Sequence, residues 1–182
     1  MVEEQLLSTA TDALQAGRRI GFPVVVKGLV PGQVHKTEAG LVRLGIGSAS
    51  ELKKVYKEFH LRLDGEGKML IQKQLPVDFE LIAGFLRDDQ FGACVMFCLG
   101  GIFSELQRDV VFALAPLSRE EARILIRGRA PINEEALLDI LVNLGNLGTA
   151  CPEIEQIDIN PLVVFQGNPV AVDATGILKE KK

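Results

Sequence analysis

Residues 157–175 read IDINPLVVFQGNPVAVDAT and set an acid, an amide and a second acid around a chain reversal. Residues 162–165 and 170–172 are apolar and rich in valine, as strands are. The intervening Gln166-Gly167-Asn168-Pro169 tolerates the dihedrals of a turn. Asp158 and Asn160 precede the first strand and Asp173 follows the second, so closing the hairpin gathers all three at its open end. Two protein oxygens, with phosphates and water completing an octahedron, hold magnesium beside a nucleotide. The same spacing suits a turn acid, a capping Asn and a strand-end Asp, and the residues alone leave both readings open.

A second chemical candidate is Lys27, which closes the short apolar run of residues 22–26. An ammonium there is either a snorkelling surface group or a fixed point charge for an anion. The following loop, residues 28–40, is GLVPGQVHKTEAG and gathers His35, Lys36, Thr37 and Glu38 on irregular backbone, where chemistry commonly sits. Gly100-Gly101 follows a buried strand, and its N–H groups suit an anion or, more commonly, a tight turn. Cys94, Cys98 and Cys151 are odd in number, without a second Cys pair or nearby His, and read as core thiols rather than zinc ligands or a disulfide framework. His60, at a helix end, needs no ligand role.

At 182 residues and 47% hydrophobic, the chain can bury a core as one domain or two small lobes. A net charge of −4 offers no overall basic field for nucleic acid or an anionic membrane. No apolar run approaches the ~20 residues that cross a bilayer, and MVEEQLLSTA is acidic rather than a basic leader, so a cytoplasmic protein is expected.

The positioning elements follow from periodicity. A helix is expected over residues 8–19, a strand over 22–26 and a second strand over 41–46 pairing back on it. Ser48 and Glu51 form a capping box for a helix with Leu52, Val55, Tyr56 and Phe59 on one face, closed by His60. Strands follow at 69–71 and 79–85, with residues 75–78 as a possible connector between lobes. FGACVMFCL, residues 91–99, is too apolar for a sheet edge, and a strand over 110–115 follows. Ser118 and Glu121 open a helix through Ile126, and Asn133 caps a longer one striped by Leu137, Leu141, Leu144 and Leu147. The terminal KEKK reads as a frayed tail. Strands and helices interleave with hairpin-like neighbours, an α/β (α+β) pattern rather than a pure doubly wound sheet.

GFPVVVK, VHKTEAGLV, LIQKQLP, FELIAGFLRDDQFGACVMFCLGGIFSE, DVVFALAPLS and IDINPLVVF with VAVDA resemble, in this order, the β subunit or β domain of ADP-forming acetyl-CoA synthetases. The last of these stretches also resembles the end of the nucleotide-binding domain of the related succinyl-CoA synthetase β subunit. The resemblance runs from about Ile20 to Asp173. It implies a two-lobed ATP-grasp fold with mixed sheets flanked by helices, with a small lobe of about residues 1–74 and a second of about 75–182. It implies ATP or ADP and Mg2+ as cofactors. It implies adenine beside Gln72, with backbone groups of Lys73 and Leu75 reading its edge, Glu80 on the ribose and Lys27 on the phosphates. Asn160 and Asp173 become magnesium ligands, with Asp158 orienting them from behind. His35 becomes the phosphate relay, aided by Lys36 and Glu38.

The CoA-binding and ligase portions of such enzymes lie on other domains or an α subunit, so this chain is expected to be part of a larger protein or complex. Four features depart from the family pattern. The loop carries Thr37, Glu38 and Leu41 where the family has Ser, Asp and a second Gly. Residues 112–114 lack an Arg, the segment between Ile126 and Asn133 is short, and the chain starts without the helix and strand that ordinarily precede Ile20. The first two suit an alternative, a catalytically degenerate nucleotide-sensing or structural module such as a regulatory domain fused to an acyltransferase. Another ATP-grasp carboxylate ligase working through an acyl phosphate, with His35 incidental, is a third possibility.

Overall fold

The computed structural model describes residues 2–30, 40–64, 67–100, 110–128 and 132–179. They form two compact units, Val2–Leu75 and the chain from Pro76 onward.

The first unit runs β1 (Glu4–Leu7), α1 (Ala10–Ile20), β2 (Val24–Leu29), β3 (Val42–Ile46), α2 (Ala49–Leu63) and β4 (Lys68–Lys73). The sheet order is β1-β4-β2-β3, antiparallel throughout. The helix expected over residues 8–19 is α1, and β1 precedes it, so the chain does not start without a helix and strand ahead of β2. Both helices are nucleated by their caps. Thr9 accepts from the Asp12 amide while Asp12 accepts from Thr9, and Ser48 accepts from the Glu51 amide. The Glu51 carboxylate, however, takes the Gly47 amide at 2.9 Å rather than that of Ser48. Leu52, Val55, Tyr56, Phe59 and Leu63 fall on one face of α2 and pack with Ala13, Ala16 and Ile20 of α1 over Val24, Val26, Met69 and Ile71. The apolar stripe continues to Leu63, so α2 runs past His60 and stops at Asp64, whose φ of 42° ends the helix.

The second unit holds β5 (Phe79–Asp88), β6 (Gly92–Leu99), β7 (Val111–Leu114), α3 (Arg119–Ile126), α4 (Glu134–Ala150), β8 (Ile154–Phe165), β9 (Asn168–Ala171) and β10 (Ala174–Leu178). Its sheet order is β10-β8-β5-β6-β7, with β9 also on β8, again all antiparallel. The apolar run lies inside the sheet, as its composition demands. One face is covered by α3 and α4, whose Ala122, Leu125, Leu137, Leu138 and Leu141 pack on Leu81, Ala83, Val95, Phe97, Leu162 and Val164.

Two kinds of contact join α3 to α4, and their magnitudes differ. Arg119 pairs with Glu135 and Asp139, and Arg123 with Glu134 and Glu135, all about half exposed. Such pairs contribute about 0–1 kcal/mol each. Burying a leucine to the level of Leu138 or Leu141 is worth about 1.5–3 kcal/mol. The leucines therefore contribute more to holding the layer than the ion pairs do.

The helix approaches the sheet most closely at Gly148, where an added Cβ would overlap the Phe85 ring. The Arg87 guanidinium lies over the same ring, 5.4 Å from its centroid, and donates to the carbonyls of Gly148, Cys151 and Ile154. It thus satisfies the Gly148 carbonyl, which the end of α4 leaves without a helical partner, and ties it to the cap residue Cys151 and the start of β8; no basic residue stands in the last turn of α4 itself. Gly148→Ala should cost about 1–3 kcal/mol through overpacking, read as a lower urea midpoint with an unchanged m-value. Wild-type stability would show that the helix can lift away.

Candidate functional site

Alternation along β2 sends Val24 and Val26 to the helices and Val25 and Lys27 to the opposite face. On β4 the same rule sends Met69 and Ile71 inward and Leu70 and Gln72 outward. Val25 pairs with Gln72 and Lys27 with Leu70, so Lys27 and Gln72 share the face turned away from the helices. Both are nonetheless buried, at 6% and 4% exposure. Lys27 is not at a strand end, since β2 continues to Leu29. Glu4 stands opposite Gln72 and accepts from its Nε2 at 2.8 Å. The acidic N-terminal stretch gave no sign of this contact, because β1 is too short to show a period.

Lys73 follows the other half of the alternation. Its Nζ donates to the Gly21 carbonyl at the end of α1, at 2.7 Å. Its amide donates to Glu3 O at 2.9 Å and the Gln74 amide to Pro23 O at 3.2 Å. These contacts do not use the Lys73 carbonyl or the amide of half-buried Leu75.

In the second unit Leu81 and Ala83 face the helices, which places Glu80, Ile82 and Gly84 on the other face. Asp158 pairs with Gly84 and lies on that face too. Glu80 is half-buried, and its carbonyl accepts from the Gly100 amide at 2.8 Å.

The hairpin differs from its expected form in a way that sharpens the site. Asp158 and Asn160 lie inside β8, whose far edge is shared by β9 and β10 in succession. The turn is the pair Gln166-Gly167, with φ of 51° and 73°. The returning chain pairs Ala171 with Leu162, passes Val172-Asp173 opposite Pro161-Asn160, and resumes pairing at Ala174 with Ile159. At the crossing the Asn160 amide donates to Asp173 O at 3.2 Å. Against β5 the register runs Leu81 to Leu162 but Ala83 to Ile159, so Asn160 and Pro161 together oppose Ile82. This bulge lets Ile157 and Ile159 on one side, and Leu162 and Val164 on the other, all reach the same core.

Asn160 and Asp173 are thus joined through their backbones, while the Asp173 Oδ1 accepts from the Ala174 amide at 3.0 Å; their side chains, an amide and a carboxylate, are of the hard oxygen type that suits magnesium. Among the described residues no three His, Cys, Asp or Glu side chains form a metal cluster, so the seam is a partial donor set that ligand oxygens would have to complete. His35, Lys36 and Glu38 lie outside the described residues, as does Gly101 of the glycine pair. Among the described residues no helix is long and apolar enough to cross a membrane.

A family model described as an ATP-grasp domain matches residues 1–178. The β subunit of acetate–CoA ligase (ADP-forming) I from Pyrococcus furiosus is 38% identical, over 92% of this chain and 80% of that one. Acetate–CoA ligase (ADP-forming) I of Archaeoglobus fulgidus is 35% identical over 93% of this chain, which spans 27% of that longer protein. A solved structure of dinucleotide-forming acetyl-coenzyme A synthetase 1 from Ca. Korarchaeum cryptofilum superposes with a TM-score of 0.80, at 37% identity over 98% of this chain and 85% of the other. That protein is in complex with coenzyme A and Mg-AMPPCP, its phosphohistidine segment pointing towards the nucleotide binding site.

The Glu4–Gln72 contact is testable without any ligand. Gln72→Glu sets a buried carboxyl at hydrogen-bond distance from the exposed Glu4, and burial and like charge both favour its protonated form. The introduced group is then held above its unfolded pKa, so its stability is present below the ordinary carboxylate range and is lost as pH rises through the raised value. The difference in Tm from wild type should widen between about pH 5 and about pH 8; a difference independent of pH would show the two groups apart.

Proposed function

The chain belongs to the ATP-grasp domain family, among the β subunits and β domains of ADP-forming acid–CoA ligases, and from that premise we propose that it binds ATP or ADP with magnesium and moves a phosphoryl group between an acyl-CoA site and the nucleotide. Relatives of this kind do not favour the alternative of a nucleotide-sensing or structural module. The CoA-binding and ligase portions are assigned to another domain or to an α subunit, in keeping with a chain that spans 27% of the longer relative.

The observation that carries the reading is the meeting of Asn160 and Asp173 at the β8 seam. Bound there, magnesium would neutralise phosphate charge and fix the phosphate oxygens. Asn160 and Asp173 would hold it, with Asp158 behind them. Lys27 meets the phosphates as a point cation. Glu80 takes the ribose hydroxyls.

For the base, the Lys73 carbonyl and then the Leu75 amide offer an acceptor followed by a donor, with Gln72 beside them. That order complements the N6 donor and N1 acceptor of adenine and opposes guanine, whose edge presents an acceptor first. The nucleotide is accordingly ATP rather than GTP.

His35 carries the phosphoryl group. A ring nitrogen attacks phosphorus, the P–N bond forms as the donor's P–O bond breaks, and the donor oxygen leaves with its electron pair. A β-phosphate oxygen of ADP then attacks, the P–N bond breaks and the imidazole returns neutral. Lys36 neutralises the phosphoryl oxygens in flight and Glu38 orients the ring.

Two experiments test these assignments. Asn160→Ala with Asp173→Ala should abolish the magnesium dependence of ATP binding in calorimetry while sparing adenosine; retained dependence places the metal elsewhere. With an active acyl-CoA synthetase partner, acetyl-CoA and labelled phosphate, the chain should acquire acid-labile, base-stable label that His35→Ala lacks. An unlabelled wild type, or ATP formation unchanged in His35→Ala, overturns the relay.

A further inference from the structure

The end of β4 is fastened more heavily than pairing in a sheet requires. Lys73 and Gln74 make four hydrogen bonds to three other segments. Lys73 donates through its amide to Glu3 O at 2.9 Å and through Nζ to Gly21 O at 2.7 Å. Gln74 donates through its amide to Pro23 O at 3.2 Å, and its Oε1 accepts from the Gly45 amide at 2.6 Å. The last contact depends on a second bulge. Val24 pairs with Ile46 but Val26 with Arg43, so Leu44 and Gly45 oppose Val25, and Gly45 takes a φ of 73° that turns its amide out of the ladder. The Lys73 ammonium is half-buried and engaged at the end of α1, where a cation is favoured and a carbonyl lacks a helical partner.

We propose that the Lys73 and Gln74 side chains are positioning residues that hold the Lys73 carbonyl and the Leu75 amide at the spacing a purine edge requires. This rests on the placement of the base beside residues 72–75. Neither side chain touches the nucleotide. Each removes freedom that the strand end would otherwise lose on binding, so the cost of ordering is met during folding. The clamp acts on the base and leaves the phosphates untouched, because the Lys73 ammonium is turned to the helix layer and away from the face that carries Lys27. This separates the part played by Lys73 from that of Lys27.

The experiment uses the whole chain and two probes, adenosine and magnesium tripolyphosphate, in equilibrium dialysis. Lys73→Met and Gln74→Leu should each weaken adenosine about tenfold, the scale of one hydrogen bond to a charged or fixed group, with tripolyphosphate unchanged. Lys73→Arg, which restores a donor to Gly21, should recover most of the adenosine affinity. Parallel losses for both probes with a lowered urea midpoint would make the clamp merely structural, and a loss confined to tripolyphosphate would make Lys73 a phosphate ligand; either overturns the proposal. Photolabelling with 8-azidoadenosine separates the two layers of inference. Label outside residues 72–75, or no adenosine binding by wild type, overturns the placement of the base. Label at 72–75 with unaltered affinity in both variants overturns the clamp alone.

Discussion

Pleating is the constraint from which the remaining features follow. A strand that gives every second side chain to a helix layer has only the intervening positions free for chemistry. In both units the helices claim one face, and the residues that resemblance assigns to the ligand fall on the other: Lys27 and Gln72 in the first unit, Glu80 and Asp158 in the second. The cost of a misplaced register is correspondingly high, since a slip of one residue would bury Lys27 under the helices and expose Val26. Two of the bulges put the pleat out of step where it bears on the site. At Asn160-Pro161 the bulge keeps both halves of β8 in the core while opening the seam to Asp173. At Leu44-Gly45 it frees an amide for Gln74.

What the sequence disclosed and what it withheld divide along the same line. Local chemistry was legible: Ser48, Ser118 and Asn133 each cap the helix they were expected to cap, and FGACVMFCL is an interior strand, because hydrogen-bond capping and continuous apolarity are written within a few residues. The two outermost strands next to β4 and β8 were not. β1 has four residues and β10 has five, mostly exposed, and neither presents a period long enough to distinguish it from loop. The strand after Gly21 was read as ending at Lys27 because a charge normally marks a boundary, and it continues because its neighbours on both sides, β3 and β4, still pair with it. For α2, a histidine is favoured at a C-terminus, yet the helix runs past His60 because Leu63 still has core to fill.

The candidate site shows the same division. The meeting of Asn160 with Asp173 was legible because a hairpin is a local object. Resemblance assigned roles to Lys73 and Leu75, yet the direction of the Lys73 side chain was not readable, since it depends on α1, more than fifty positions away. Glu4 was missed for the same reason, as its partner lies on the far side of two helices in the chain.

Arg87 bears on how the second unit comes together. Its guanidinium closes the end of α4 with carbonyls 61 to 67 positions further along the chain. Most of a helix's stability in a protein comes from packing of its apolar face rather than from propensity, and the final carbonyls of α4 have no basic residue in the last turn. The last turn of α4 is therefore completed only after β5 has arrived, and fraying at either participant is felt by the other. The end of the helix, the start of β8 and the middle of β5 are thus expected to open and close as one cooperative block, with amide protons of common protection, rather than melting inward from the helix terminus.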